Sequence, residues 1–400
     1  PLPQIPTAFI WTNSKSGYVI CKTVANGETV QEVVWASTCP DGAVTSNSNK
    51  SAPVVNTEPK KDEVMVKISA SGLCHTDWET MHGYQPVNLP AIIGHEGAGI
   101  VEAVGEGVDH VKVGDHVICS WNPNCGICFY CDNGQPILCE VQKKANSRGV
   151  LFDGTTRASI NGEKIHYYSL VSSHAEYTII PKQAAVKIRE DFPLDRAALL
   201  GCAVMTGYGG AVYAGNIKPE TSVVVIGCGA VGLSAIQGAR ISGASKIIAV
   251  DIFDNKLEFA KRVGATHTVN SKNINPVEFC AELTDGRGVD YAIESAGQNE
   301  TIRQTLECSR PGARIVILGK TPYGVEINLP FYTMMGEREI IRTSYGKSRP
   351  RIDFPRLANL YMNGELFLDE MISKTYNIED INKGFDALEK GELARGLVIF

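Results

Sequence analysis

Three residues that lie far apart in the chain have side chains of the kinds that bind a catalytic zinc ion. His95 stands among small and apolar residues, and the neighbouring glycines leave its imidazole room to face a cavity. Two cysteines are the candidate partners of this histidine, Cys74 and Cys202. Two thiolates, one imidazole and an open fourth position make up the ligand set of a catalytic zinc site. The sequence therefore predicts a zinc ion that polarises a bound substrate.

A second group of cysteines has the spacing of a closed metal site. Its members are Cys125, Cys128, Cys131 and Cys139. Four thiolates complete a tetrahedral zinc site, which is structural because no position stays open for a substrate. An iron–sulfur cluster is the competing interpretation. The bacterial cluster motif continues with Cys-Pro after a three-residue gap, whereas seven residues intervene here and Glu140 follows, so we expect zinc.

A glycine-rich turn in the second half of the chain predicts a dinucleotide site. An apolar strand pattern at 223–226 leads directly into Gly227, Gly229 and Gly232, a helical pattern follows, and the next predicted strand ends at Asp251. Glycines let the backbone approach a pyrophosphate, the helix N-terminus favours its charge, and the acid binds the ribose. We therefore expect NAD as the cofactor.

Three motifs together resemble one family, the zinc-dependent medium-chain alcohol dehydrogenases. They are Gly94-His95-Glu96, the earlier Cys74-His75-Thr76-Asp77 and the later Gly201-Cys202 followed by Thr206-Gly207-Tyr208. The resemblance extends from about Lys60 to Phe400 and keeps the family's order of motifs. It implies two zinc ions per chain, NAD, and hydride transfer between a primary or secondary alcohol, allylic and aromatic alcohols included, and the nicotinamide ring.

The resemblance also implies the fold. The fold class is α/β, with a doubly wound parallel sheet of the Rossmann type and a mostly β, partly open-barrel catalytic domain of the GroES-like type. We predict a catalytic domain with the structural zinc lobe at 1–203, an NAD-binding domain at 204–345, and a return to the catalytic domain at 346–400. Strand patterns at 291–294, 314–318 and 339–343 predict further buried strands of the parallel sheet.

Individual roles follow from the same resemblance. Thr76 is expected to accept the proton of the alcohol. Glu96 is expected to stand beside the zinc or bind it as an alternative ligand, and a structural pairing of Glu96 with an arginine is compatible with that role. The residues expected at the cofactor, besides the glycines and Asp251, are His75, Thr206, Val231, Lys256 and Arg395. Trp121 and Tyr168 are expected either along the substrate channel or in the core.

Two departures from the family bear on function. Several relatives place a histidine five residues after the first zinc-ligand cysteine, at the outer end of the proton relay, whereas this chain has Glu79. With an ordinary pKa of about 4.3, that carboxylate is ionised at neutral pH and is a weak proton reservoir. Relatives that oxidise the glutathione adduct of formaldehyde carry acids just before Gly-His-Glu, and residues 82–89 contain none. Such a formaldehyde dehydrogenase is therefore the alternative to a plain alcohol dehydrogenase, and a non-catalytic NAD-binding protein is the alternative of another class.

Composition limits the partners. The net charge of −6, without a clustered basic face, argues against nucleic acid and anionic membranes, and a small alcohol or aldehyde is the expected partner. No run of eighteen apolar residues and no leader pattern occurs, so we expect a cytoplasmic chain. The long connection at 143–166 is of the kind seen in the family's dimers, which predicts a homodimer.

The first sixty residues exceed what the family usually carries. Strand patterns at 18–24 and 29–36 flank Asn26-Gly27 and predict a hairpin, and the polar stretch 45–51 predicts a surface loop. The sequence assigns no role to this extension.

Overall fold

The computed structural model describes residues 7–11, 18–22, 33–36, 55–56, 58–160, 162–322 and 324–400. Before residue 58 it describes only the backbone of four short strands. The expected strand pair is present, because Tyr18–Lys22 pairs antiparallel with Val33–Ala36. The Asn26-Gly27 turn and the loop at 45–51 lie outside the described residues.

Strands form three sheets. Before the parallel sheet they are β1 (Thr7–Trp11), β2 (Tyr18–Lys22), β3 (Val33–Ala36), β4 (Val55–Asn56), β5 (Glu63–Leu73), β6 (Ala91–Ile92), β7 (Gly97–Val104), β8 (His116–Cys119), β9 (Ala158–Ile160), β10 (Glu163–Tyr167), β11 (Tyr177–Pro181) and β12 (Ala185–Lys187). The strands of the parallel sheet are β13 (Ser222–Ile226), β14 (Lys246–Asp251), β15 (His267–Asn270), β16 (Val289–Glu294), β17 (Ser309–Ile317) and β18 (Glu339–Arg342). Two strands follow, β19 (Ile372–Tyr376) and β20 (Arg395–Ile399).

Helices surround these sheets. They are α1 (His75–Met81), α2 (Phe129–Asp132), α3 (Glu140–Arg148), α4 (Leu194–Leu199), α5 (Met205–Gly209), α6 (Ala230–Ile241), α7 (Asp254–Arg262), α8 (Pro276–Leu283), α9 (Asn299–Glu307), α10 (Phe331–Met334), α11 (Pro350–Met362) and α12 (Ile381–Glu389). The spacing of Ile378, Ile381, Phe385 and Leu388 predicts an amphipathic helix near the C-terminus. Three of these residues lie in α12, whereas Ile378 begins a short 3₁₀ turn before the helix.

Strand β5 organises the catalytic half. It pairs with β7, β11 and β20 in a sheet of order β12-β8-β7-β5-β20-β19, while the other sheet of this half has the order β3-β2-β1-β6-β10-β9-β4. The sequence pattern of β5 predicts a half-buried strand, but all its side chains except Lys67 are buried or half-buried. Val66 packs on one face with Val101, and Met65 packs on the other with Leu151, so both faces are covered.

The other half of the protein contains a doubly wound parallel sheet, as predicted. Its order is β15-β14-β13-β16-β17-β18 and every pairing is parallel. The expectation that 339–343 is a buried strand is wrong. Within the described residues β18 pairs only with β17, and three of its four residues are exposed because it forms the edge of the sheet.

A continuous helical segment, Leu194–Gly215, connects the two halves. It is long and apolar enough to cross a membrane, but 83% of its most apolar window is buried inside the protein, so it is a core helix. Its turns widen to π geometry at Leu200–Val204 and Gly210–Gly215. Such π turns occur frequently at functional sites, and the first of them contains Cys202. The predicted domain boundaries at 203/204 and 345/346, the second near the end of β18, stay predictions.

Candidate active site

Four side chains from three parts of the chain meet in the catalytic half. Cys74 follows the end of β5, His95 and Glu96 precede β7, and Cys202 lies in the core helical segment. One ligand atom from each of the four lies within 4.8 Å of the others. This arrangement could hold one metal ion. It brings together the three predicted zinc ligands and the predicted alternative ligand.

A carboxylate that the sequence analysis did not single out fixes the histidine. Asp77 is fully buried, and its Oδ1 lies 2.8 Å from Nδ1 of His95. A histidine that donates from one ring nitrogen to a carboxylate presents the other nitrogen to a metal. Asp77 therefore selects Nε2 of His95 as the ligand atom. The signal was available in the sequence, since Asp77 closes the Cys-His-Thr-Asp motif.

Glu96 and Arg395 form a buried ion pair. Nη2 of Arg395 lies 3.1 Å from Oε1 of Glu96, and both side chains are almost completely buried. Oε2 of Glu96 has no hydrogen-bond partner among the described residues. Burial raises the pKa of Glu96 to about 7 although the guanidinium opposes this. A buried carboxylate oxygen without a donor beside two cysteines fits a nearby cation.

A hydrogen bond between the thiols of Cys74 and Cys202 shifts their pKa values in opposite directions. The pKa of Cys74 is held well below its ordinary value, first by a hydrogen bond from Cys202 and then by His95 and Arg395. The same hydrogen bond and burial raise the pKa of Cys202. The surrounding protein groups by themselves therefore favour the thiolate form of Cys74. Two sulfurs, an imidazole nitrogen and a carboxylate oxygen are a donor set suited to zinc.

The second cysteine group forms a separate cluster. Sγ of Cys128 lies 3.5 Å from Sγ of Cys131 and 4.0 Å from Sγ of Cys139, and Cys125 completes the group. Zinc at about 2.3 Å from each sulfur of a tetrahedron separates the sulfurs by roughly 3.8 Å, so the cluster fits zinc and is too open for disulfides. The surrounding lobe exposes Ile127, Phe129 and Leu138, so it has little apolar core of its own. Metal binding is thus the main constraint on this lobe.

A cavity of about 340 Å³ lies between the metal-binding residues and the parallel sheet. Of the predicted cofactor residues it is lined by His75, Gly227, Gly229, Val231, Asp251, Lys256 and Arg395. Thr206 is buried in α5 and is not among the lining residues; Gly232 is also absent from them. Arg395 lines the cavity and also forms an ion pair with Glu96. The sequence had assigned Arg395 only a contact with the pyrophosphate.

The three glycines of the turn differ in backbone conformation and in the space around them. Gly227 has a φ of +93°, which a side chain would strain. A Cβ on Gly232 would lie 1.8 Å from the carbonyl oxygen of Gly227, so this glycine is needed for packing. A Cβ on Gly229 would meet nothing within 4 Å, although Gly229 lines the cavity. The open space at Gly229 therefore leaves room for a ligand to approach the backbone.

Asp251 is held at the end of β14 by the glycine turn. Its Oδ2 accepts a hydrogen bond of 2.7 Å from the backbone N–H of Cys228, and its Oδ1 accepts from Ile252 and Phe253. The carboxylate is thereby fixed at the cavity, five residues before Lys256, which also lines it. A fixed acid in this place can bind neighbouring hydroxyls of a ribose.

Thr76 and Glu79 lie on α1 at the metal end of the cavity. The backbone oxygen of Thr76 accepts hydrogen bonds from Thr80 and Tyr168. Nε2 of Gln85 donates to Glu79 over 2.9 Å. Partial burial raises the pKa of Glu79, and the charge of Lys320 partly offsets this rise. The ordinary pKa assumed from the sequence is therefore wrong.

Tyr168 and Trp121 are both packed against other aromatic rings. The ring of Tyr168 meets His95 edge-on with centroids 5.9 Å apart, and the side chain is 8% exposed. Trp121 lies against Tyr345 at 4.5 Å. The hydroxyl of Tyr345 donates to the backbone oxygen of Gly201, next to Cys202. Neither Tyr168 nor Trp121 lines the cavity, and Tyr345 was missed because its partners are distant in sequence.

Comparisons with known proteins agree with this architecture. The family described as zinc-binding dehydrogenase matches residues 230–363, and the alcohol dehydrogenase GroES-like domain matches residues 60–190. S-(hydroxymethyl)glutathione dehydrogenase from Paracoccus denitrificans is 39% identical over 356 residues, which cover 86% of this chain and 95% of that protein.

Two solved structures are also similar. Benzyl alcohol dehydrogenase from Acinetobacter calcoaceticus has a TM-score of 0.83 at 34% identity, covering 87% of this chain and 94% of that one. A zinc-binding dehydrogenase from Sinorhizobium meliloti, solved with NADP, has a TM-score of 0.72 at 28% identity, covering 87% and 95%. The chain belongs to the zinc-binding medium-chain alcohol dehydrogenase family. It is an oxidoreductase of that family, with a Cys₄ cluster and a Cys/His metal site.

Asp77→Asn tests the orientation of the metal-binding histidine. The amide can no longer accept as a carboxylate does, so metal affinity and activity should fall by about 10–100-fold while the Cys₄ zinc is retained. Metal content during chelator titration, measured alongside activity, checks this. Asp109→Asn, at an exposed acid remote from the cluster, is the control. Equal zinc retention in the Asp77 variant and the wild type would contradict the role.

Proposed function

We propose that this chain is an NAD-dependent dehydrogenase that oxidises an alcohol group, with the hydroxymethyl adduct of glutathione as its first candidate substrate. The observation that carries the reaction class is the meeting of Cys74, His95, Glu96 and Cys202 at the end of a cavity that the glycine turn also lines. The relatives' names support the substrate, since the Paracoccus protein is named for this adduct.

The residues of the chain have separable tasks in this proposal. Zinc held by these residues would polarise the C–O group of the substrate, and bound NAD would supply the acceptor for the hydride that leaves the carbon bearing the hydroxyl. Cys74, His95 and Cys202 would hold the catalytic metal, and Asp77 keeps the imidazole in position. Arg395 neutralises Glu96, which prevents an uncompensated negative charge beside two sulfurs.

Proton removal is assigned to α1. Thr76 would accept the proton of the substrate hydroxyl and Glu79, which lines the same cavity, would receive it from Thr76. His75, Lys256 and the glycine turn would bind the dinucleotide, with Thr206 and Val231 supporting the nicotinamide end. In this division residues 1–203 and 346–400 form the catalytic domain and 204–345 the NAD-binding domain.

A plain alcohol is the second candidate substrate. Residues 82–89 contain no acid that could hold the amine of glutathione, and benzyl alcohol dehydrogenase is among the similar structures. Zinc-loaded protein should be assayed for NADH formation with formaldehyde, with formaldehyde plus glutathione, and with aliphatic, allylic and aromatic alcohols. Turnover only when glutathione is present supports the first candidate, and turnover of alcohols alone supports the second. A chain that binds NAD but oxidises none of them would be the non-catalytic alternative.

The proposal predicts a preference for NAD over NADP. A 2′-phosphate beside Asp251 would place two negative charges about 4 Å apart, which costs about 4 kcal/mol at an effective dielectric of 20. Half of that cost after screening still gives a preference of more than about tenfold. Asp251→Asn should reduce the preference, measured as the ratio of kcat/KM for the two cofactors. Comparable values in the wild type would overturn this assignment.

Glu79→Gln tests the proton relay. General acid–base catalysis typically contributes about 10²–10⁴-fold. If the carboxylate receives the proton, the rate of hydride transfer should fall by a large part of that factor, with zinc content unchanged. The rate of hydride transfer should rise with pH, because the carboxyl group of Glu79 can accept a proton only when it is ionised. Because Lys320 lowers the pKa of Glu79, Lys320→Gln should move that rise to higher pH. Lys143→Gln, at an exposed lysine on α3, is the matched control.

Pre-steady-state rates of the hydride step across pH separate the outcomes for Glu79. An unaltered rate in Glu79→Gln at every pH would remove this residue from the mechanism, and Thr76 would then pass the proton directly to water.

We also propose a cytoplasmic homodimer formed through the edges of two parallel sheets. The exposed edge strand β18 carries Ile340, and α10 just before it exposes Phe331 and Tyr332 by 73% and 70%. Light scattering should give a dimeric mass, and Ile340→Lys should shift it towards the monomer; a tetrameric mass would contradict the proposal.

The ten cysteines whose side chains the structure describes are all free of disulfides, as expected in a reducing compartment, which cell fractionation can check.

A further inference from the structure

A polar cluster behind the metal-binding residues has no role in the function proposed so far. Its members, Ser71, Ser173 and His174, are fully buried. Ser71 lies on β5, three residues before Cys74, and the other two lie between β10 and β11. Oγ of Ser71 lies 2.7 Å from Oγ of Ser173 and 2.9 Å from Nδ1 of His174. Burying polar groups is unfavourable unless their donors and acceptors are paired, so the arrangement of this cluster requires an explanation.

The backbone of this cluster holds the segment that carries the metal-binding histidine. The N–H of His174 donates to the carbonyl oxygen of Ile93 over 3.0 Å, and the N–H of Ser173 donates to that of Gly94 over 3.0 Å. A Cβ on Gly94 would lie 2.7 Å from Cγ of His174. The imidazole of His174 therefore packs directly against the residue that precedes His95.

The second ring nitrogen of His174 faces Asp77. Nε2 lies 4.0 Å from Oδ2 of Asp77 and has no hydrogen-bond partner among the described residues. The same carboxylate lies 2.8 Å from Nδ1 of His95 through Oδ1, and its Oδ2 accepts from the backbone N–H of Cys74 over 3.3 Å. Asp77 is thus placed between two imidazoles, one of which belongs to the metal site.

Only one position of the proton on His174 suits these neighbours. Burial lowers the pKa of His174 to about 4, so at neutral pH the ring is uncharged and carries a single proton. A proton on Nδ1 would leave the lone pair of Nε2 facing the carboxylate of Asp77, which is repulsive. A proton on Nε2 directs a donor at that carboxylate, while Nδ1 accepts from the hydroxyl of Ser71 and Ser71 accepts from Ser173.

We infer that His174 is a positioning residue of the catalytic metal site, which holds the carboxylate of Asp77 against His95 by carrying its own proton on Nε2. This inference rests on the metal site of the proposed dehydrogenase and adds a residue on which its metal affinity depends. The donors of Ser173, Ser71 and His174 all point along one chain towards Asp77, and the donor of His95 meets them there. Hydrogen-bond partners of a metal-binding histidine typically contribute about 10–100-fold to metal affinity. Because His174 acts through Asp77, we expect it to contribute about tenfold, at the lower end of that range.

The affinity of the catalytic site for zinc provides the first test. The full-length protein is equilibrated at free zinc concentrations fixed by a chelator, and the zinc bound per chain is measured. Cys202→Ser, which removes a ligand, identifies the binding step of the catalytic site. His174→Phe keeps an aromatic ring beside Phe385 and removes both nitrogens, so it should weaken this step by about tenfold. His174→Gln should restore most of the affinity, because its amide N–H can replace that of Nε2.

Phe385→Leu is the matched control for packing. The ring of Phe385 meets that of His174 edge-on with centroids 6.0 Å apart, so this change disturbs the packing of His174 without removing a donor. Its melting temperature should fall while its zinc affinity stays that of the wild type. An unchanged affinity in His174→Phe overturns the inference, and so does an equal loss in His174→Phe, His174→Gln and Phe385→Leu, because packing alone would then explain it.

A double substitution tests whether His174 acts through Asp77. Substitutions at independent sites have additive effects on free energy, whereas substitutions in one hydrogen-bonded network do not. In the background of Asp77→Asn, His174→Phe should therefore cause little further loss of zinc affinity. A further loss as large as that in the wild-type background would overturn the inference.

The position of the proton can also be measured directly. In zinc-loaded protein with ¹⁵N-labelled histidine, NMR of the ring nitrogens distinguishes the two tautomers, and His174→Gln identifies the signal that belongs to His174. We expect the proton on Nε2, and a proton on Nδ1 would overturn the inference even if the variants lose zinc. None of these measurements uses a substrate. A chain with the expected zinc affinities that oxidises none of the alcohols would instead overturn the proposed function.

Discussion

The structure depends on the mutual compensation of charges buried at the catalytic metal site. Cys74, Glu96 and Asp77 are potential anions with almost no exposure, and His95 and Arg395 are the cations or donors that face them. Removing one member of a buried pair typically costs about 3–5 kcal/mol, because the partner is left uncompensated. The chain segments that carry these groups must therefore arrive together. A zinc ion held there would add two positive charges beside two sulfurs and Oε2 of Glu96, which has no hydrogen-bond partner among the described residues.

This requirement explains the connectivity around β5. The strand ends at Leu73, so that Cys74 caps the helix that carries Asp77 and Thr76. Its neighbour β20 comes from the end of the chain, and Gly396 pairs with Leu73. That pairing places Arg395 against Glu96. The chain returns to the catalytic half after the parallel sheet is complete, and this return encloses the buried charges. Arg395 also reaches the cofactor cavity.

The sequence contained the parts of the site that lie in short motifs. The Cys₄ spacing, the glycine turn and the three metal-binding residues could be predicted because their chemistry depends on residue type and local order. The pairing of Arg395 with Glu96 could not, since the two residues are separated by most of the chain and meet only through β20. Tyr345 was missed for the same reason. The burial of both faces of β5 and the exposure of β18 depend on neighbouring elements, which the alternation of residues within one strand does not reveal.

The pKa of Glu79 shows how far residue type alone can mislead. A solvated glutamate is a poor proton carrier near neutral pH because its pKa is several units too low. In the structure, partial burial raises that pKa, which moves the carboxyl towards the range in which a general base works well. Lys320, whose charge opposes that rise, follows β17 of the parallel sheet and lines the same cavity. The pKa of Glu79 therefore depends on a charge from a distant part of the chain as well as on the residue type and its burial.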